Sequence, residues 1–171
     1  GTCKVVPPDE NFLPDMNIFR DSINGNTRGV LINSPNNPSG AVYGEETLLE
    51  MSQIIQEKED EFGIEIYLVS DEPYRKIIFD GIEYPHIFKY HERSIVATSH
   101  SKDLALPGER IGYIAVNPDC PDVEEILDGL VFCNRTLGFV NAPALIQHLV
   151  AHLQDTTTVS YTHLTLPTNR E

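Results

Sequence analysis

A chain of 171 residues, 40% hydrophobic and 22% charged, has the size and composition of one globular domain that can bury a core without disulfide or metal staples. The balance of 12 Lys and Arg against 26 Asp and Glu, a formal charge of −14, repels phosphate backbones and argues against a nucleic-acid partner. No apolar run reaches the roughly 20 residues of a membrane helix, no signal-peptide pattern opens the chain, and three cysteines without a C-x-x-C pair argue against a disulfide framework or zinc site and for a cytoplasmic setting.

Taken in chain order, residues 3–6 read as a strand closed by Pro7-Pro8, and Gly1 is not expected to be a natural start. Asp15 is placed to cap a short helix carrying Met16, Phe19 and Ile23 on one face. Residues 30–32 read as a buried strand, stopped by the turn-rich run Ser34-Pro35-Asn36-Asn37-Pro38-Ser39-Gly40. Leu48, Met51, Ile55 and Phe62 recur at helical spacing over 45–62, with Gly63 as the C-cap. A second apolar strand is expected over 64–69, a short strand over 77–79 before the Asp80-Gly81 turn, and a third full strand over 94–98.

The next strand, 110–116, follows after a connection too short for a parallel crossover, so it should run antiparallel to its predecessor. Two helices complete the pattern. Residues 122–134 turn Val123, Ile126, Leu127, Leu130 and Val131 inward, and 144–153 turn Leu145, Ile146, Leu149, Val150 and Leu153 inward. The alternation specifies an α/β three-layer sandwich: a mostly parallel sheet with one antiparallel strand and helices on both faces.

Three successive apolar strands each end in polar residues: Asn36-Asn37, Asp71 with Tyr74, and Ser99 to Lys102. Any one cluster is adequately explained as a turn or cap. Together, at one edge of a parallel sheet where ligands bind, they bring a carboxylate, a phenol, an amide and an amine to one place.

The segments NSPNNPSG, SDEPY and SHSKDLALPGERIGY, in that order, resemble the three cofactor motifs of the fold type I aminotransferases of class I and II. The likeness runs from Cys3 to Leu153. It implies pyridoxal 5'-phosphate as cofactor, with Lys102 catalytic and forming the Schiff base with the cofactor aldehyde. Asp71 would pair with the protonated pyridine nitrogen, Asn37 and Tyr74 would bond the ring oxygen, and Ser99, Ser101 and Arg110 would hold the phosphate. The chemistry suits the residue types. An amine condenses reversibly with an aldehyde, a carboxylate keeps a pyridine nitrogen protonated so that the ring acts as an electron sink, and arginine's planar fork matches phosphate oxygens.

The implied activity is amino-group transfer between an amino acid and a 2-oxo acid, in amino-acid metabolism, by a homodimeric parent. The same ligands would serve a lyase or synthase of this fold, or a non-catalytic sensing domain of a transcription regulator. The resemblance assigns residues 1–156 to part of the large, cofactor-binding domain. It implies that a second phosphate-binding turn, the aromatic residue stacking on the ring, and the small domain with its carboxylate-binding arginine lie outside the chain. Such a fragment is expected to be inactive alone. Residues 157–171 are expected to be a non-native tail, since VSYTHLTLPTNRE resembles a translated sequencing adapter. His148 and His152 stand four apart on a helix without a third ligand, which makes a metal pair unattractive.

Overall fold

The computed structural model describes residues 1–153; the expected tail lies outside them. Helix α1 (Met16–Ser22) starts where Asp15 accepts the backbone N–H groups of Asn17 and Ile18, satisfying two donors that a helix start leaves unpaired. Strand β1 (Gly29–Asn33) leads into α2 (Glu45–Phe62), whose first-turn Glu45 and Glu46 complement the helix dipole. That helix ends at Gly63, left-handed at φ 61°, with its N–H on the Glu59 carbonyl. Leu48, Met51, Ile54 and Ile55 are each no more than 2% exposed, and at roughly 1.5–3 kcal/mol for each fully buried side chain they anchor α2 to the sheet.

The remaining elements are β2 (Tyr67–Asp71), β3 (Ser94–Ser99), the single turn α3 (His100–Asp103), β4 (Gly112–Val116), α4 (Val123–Thr136) and α5 (Ala144–His152). The four strands lie in sequence order, β1–β2 and β2–β3 parallel and β3–β4 antiparallel. The mostly parallel sheet with one antiparallel strand is therefore as the sequence specifies. One face, bearing Ile32, Leu68 and Val96, packs with Phe19 of α1 and the buried row of α2 into the core.

Several local expectations change. Residues 3–6 form no strand; an isolated bridge joins Pro8 and Pro14 instead. The second strand starts at Tyr67, because the Ile66 N–H is taken at 2.7 Å by the buried Glu59 carboxylate rather than by a neighbouring strand. Residues 77–79 join no strand, the Ile77 N–H going instead to the Tyr74 carbonyl at 2.7 Å, and Phe79 is 74% exposed. β4 begins two residues late, since Arg110 is left-handed at φ 50°. Helices α4 and α5 form where expected, yet of their apolar stripes the described residues bury only Val150. The second sheet face is likewise partly open, with Leu31 74% and Ile114 50% exposed.

Candidate active site

The parallel register aligns the C-terminal ends of the strands: Asn33 pairs with Asp71, and Asp71 with Ala97. The loop after β1 is shaped by Asn36, whose Oδ1 accepts both the N–H and the hydroxyl of Ser39. That local work leaves Asn37 to face outward, and its Nδ2 donates to Tyr74 Oη at 3.3 Å. Lys102 Nζ stands 5.6 Å from the centroid of the Tyr74 ring, within cation–π range. Tyr74 thus touches both the amide from the first loop and the amine from the third.

Asp71 is held by Asn33, whose Nδ2 donates to the Asp71 carbonyl at 3.0 Å and reaches its carboxylate at 3.3 Å. Asn33 Oδ1 in turn accepts the Asn37 N–H at 2.8 Å. One amide therefore couples the carboxylate to the Asn37 loop. Sequence reading gave Asn33 no role, although it opens the NSPNNPSG run. Its signal was its position as the polar last residue of an apolar strand. Asp71 is exposed at the strand end, yet partial desolvation of its carboxyl raises its pKa above the ordinary value, and the neutral Asn33 amide does not offset that. A protonated pyridine nitrogen would, so the donor set fits the cofactor that the motifs imply.

Ser99 ends β3, and Ser101 and Lys102 lie within α3. Arg110 follows on the segment whose next residue, Ile111, accepts the His100 N–H at 3.0 Å. The Arg110 guanidinium donates to the Pro107 carbonyl at 2.9 Å. Among the described residues Ser99, Ser101 and Arg110 share no side-chain hydrogen bond, so their grouping is one of backbone neighbourhood. The Asn37–Tyr74 pair borders a cavity of about 340 Å³ whose other walls include Pro35, Val42, Ile77 and Phe79, a volume suited to a small molecule.

Polar groups also lie behind this edge. Glu72 is 0% exposed, with Arg75 Nη1 at 3.9 Å. The Tyr84 hydroxyl donates to the Ser34 carbonyl at 3.0 Å. Burial, then the Glu72 carboxylate, pushes its pKa above the ordinary phenol value.

The aminotransferase class I and II family model matches residues 1–170. A curated relative from Methanocaldococcus jannaschii, named as a probable aspartate aminotransferase, is 33% identical over 77% of this chain and 33% of its own length. An amino transferase from Eubacterium rectale superposes with a TM-score of 0.87 at 43% identity, over 92% of this chain and 40% of that one. A PLP-dependent aminotransferase from Streptococcus suis gives 0.66 at 31% identity, over 93% and 37%. The chain spans about a third of the length of the curated relative. With the family model matching nearly every residue, and the three motifs meeting at one sheet edge, the chain belongs to the class I and II aminotransferases.

Proposed function

We propose that this chain carries the cofactor-binding portion of an enzyme that transfers an amino group between an amino acid and a 2-oxo acid, with pyridoxal 5'-phosphate as cofactor. The observation that carries the proposal is the meeting of three loops at Tyr74, which bonds Asn37 and lies under the Lys102 amine, with the Asp71 carboxylate tied to the Asn37 loop through Asn33.

When bound, the cofactor supplies an aldehyde that takes up amines and a ring that accepts the electron pair left on a substrate α-carbon. Lys102 would supply the amine that the aldehyde takes up and, once freed by the substrate amine, would act as the general base and acid for the proton at the α-carbon. Asp71 would hold the proton on the ring nitrogen, with Asn33 keeping its carboxylate oriented. Asn37 and Tyr74 would stabilise the ring oxygen without adding net charge. Ser99, Ser101 and Arg110 would hold the phosphate. The free thiols Cys3, Cys120 and Cys133 suit a reducing cytoplasm.

The test uses the protein encoded by the open reading frame that contains this chain. Borohydride reduction after cofactor addition should fix an adduct on Lys102, identified by mass. Lys102→Ala should remove the adduct and slow turnover by at least about 10²–10⁴-fold, the scale of a positioned general acid–base. Wild-type transamination by Lys102→Ala overturns the proposal. An adduct on Lys102 without transamination of any amino acid would replace it with the lyase, synthase or sensing reading.

A further inference from the structure

The turn after Asp71 carries two consecutive cations, one reaching the turn that holds Lys102 and the other reaching β4 beside it. Lys76 Nζ lies 3.4 Å from Asp103 Oδ2. Asp103, 7% exposed, faces Nδ1 of the equally buried His100 at 3.1 Å. The His100 ring stands 6.0 Å from that of Tyr113, centroid to centroid. Arg75 Nη2 donates to Tyr113 Oη at 2.5 Å, and the guanidinium carbon lies 5.9 Å from the Tyr113 ring centroid. Because Arg75 and Lys76 are neighbours, these contacts form a closed circuit: Lys76, Asp103, His100, Tyr113, Arg75.

Lys102 lies between two members of this circuit, His100 and Asp103, along α3. A single helical turn is too short to hold its own shape, since nucleating a helix fixes several residues for one hydrogen bond. Ser99 gives α3 no side-chain cap. Backbone bonds hold its ends, from the His100 N–H to the Ile111 carbonyl at 3.0 Å and from the Leu106 N–H to the His100 carbonyl at 3.1 Å. The side-chain pair His100–Asp103, three residues apart on one face, braces the turn between them, and Lys76 ties that pair to the turn that follows Asp71. None of these three side chains belongs to the set that would contact the cofactor.

We propose that His100 and Asp103 are positioning residues for Lys102, with Lys76 fixing the separation between the lysine turn and the Asp71 turn. The proposal rests on Lys102 being the lysine that condenses with the cofactor. That step forms a carbon–nitrogen double bond between Nζ and the aldehyde carbon and releases one water, so its rate depends on where Nζ is held. A misplacement of about 1 Å costs on the order of 10²-fold in such a reaction.

The experiment uses the protein from the complete reading frame, stripped of cofactor, as His100→Asn, Asp103→Asn, Asp103→Glu, Lys76→Met and Lys102→Ala variants. Three quantities are measured: the rate of forming the borohydride-reducible adduct, the affinity for pyridoxamine 5'-phosphate, which has no aldehyde, and Tm. His100→Asn, Asp103→Asn and Lys76→Met should slow adduct formation by roughly 10–100-fold while pyridoxamine phosphate affinity stays within about twofold. Asp103→Glu should recover most of the rate. Lys76, with 39% of its side chain exposed, gives a variant that leaves the buried pair in place should the His100 or Asp103 variants not fold. Adduct formation at the wild-type rate in Lys76→Met overturns the proposal. So does a fall in adduct rate matched by equal losses of pyridoxamine phosphate affinity and Tm, which would mark a structural role alone. An adduct that persists in Lys102→Ala would overturn the functional reading together with this one, whereas its loss there beside wild-type rates in the other variants would overturn this one only.

Discussion

Gly112 provides a direct test of how closely β4 must approach the lysine turn. It pairs with Ser99 in the antiparallel ladder. A Cβ built on it runs into the Thr98 carbonyl oxygen, and also meets Ser99 Cα at 3.0 Å and Ser99 Cβ at 3.2 Å. Two of the three obstructing atoms are backbone, so no side-chain rotation relieves the clash and Gly112→Ala must part β3 from β4. Overpacking of about 1–3 kcal/mol and a lost ladder hydrogen bond near 1 kcal/mol add to about 3 kcal/mol, close to a hundredfold in the folding equilibrium. Urea unfolding of the two proteins, with equal m-values, reads this as a shift in midpoint. Gly108→Ala is the control: nothing lies within 4 Å of its Cβ position and its φ is not positive, so it should be neutral or stabilising by up to about 1 kcal/mol. A Gly112→Ala protein within about 0.5 kcal/mol of wild type, the ordinary range of a surface change, would refute the reasoning.

Two carboxylates should leave opposite marks on the pH profile of cofactor-free stability. Asp71 is raised by partial desolvation, so across the window between its unfolded and folded values the folded chain binds more protons, and stability falls as pH rises through it; Asp71→Asn should flatten that fall, and an unchanged profile would count against the shift. In the cofactor-loaded protein the same substitution should slow turnover with the Lys102 adduct retained, because a neutral amide cannot keep the ring nitrogen protonated. Asp122 is lowered, first by the hydrogen bond from the Tyr67 hydroxyl, so its contribution is present above the ordinary carboxylate range and is lost as pH falls. Tyr67→Phe should therefore lower stability at neutral pH and leave little difference in acid; an equal loss at both pH values would point to packing instead.

The sequence specified the elements wherever local patterning and local chemistry agreed. Helix α2 runs from Glu45 to Phe62 as its spacing predicts, ended by a glycine that alone takes the required left-handed turn without strain. The antiparallel course of β4 was legible from the short connection before it. What escaped was decided by partners distant in sequence. Ile66 looks like strand, but a carboxylate seven residues earlier claims its N–H. The stripes of α4 and α5 predict burial, yet periodicity states only which face is apolar, and the described residues leave Leu127, Val131 and Leu145 exposed. At the site, motif and strand order pointed to Asn37, Asp71, Tyr74 and Lys102, and the fold brings Asn37, Tyr74 and Lys102 together. Asn33 and the Lys76 tie to the His100–Asp103 pair could not be read that way, because Asn33 reaches across the sheet to Asp71 and Lys76 reaches Asp103 from a distant turn.

That division follows from the geometry of the end of β2. Asp71 is the last residue of the strand, and Glu72 continues its path with an N–H to the Ala97 carbonyl at 2.8 Å while its own carbonyl accepts the Thr98 hydroxyl at 3.1 Å. Successive strand residues point to opposite faces, so one carboxylate stands exposed beside Asn33 while its neighbour is 0% exposed near Arg75. A one-residue slip of β2 against β1 and β3 would exchange the two. The buried charge is costly unless its cation is held nearby; Arg75 fills that role and also grips Tyr113. The apolar residues Leu68 and Val96 on the core face set the register that presents Asp71 outward. The inward Glu72 is carried at a cost, and Arg75, the cation beside it, belongs to the circuit that includes His100 and Asp103.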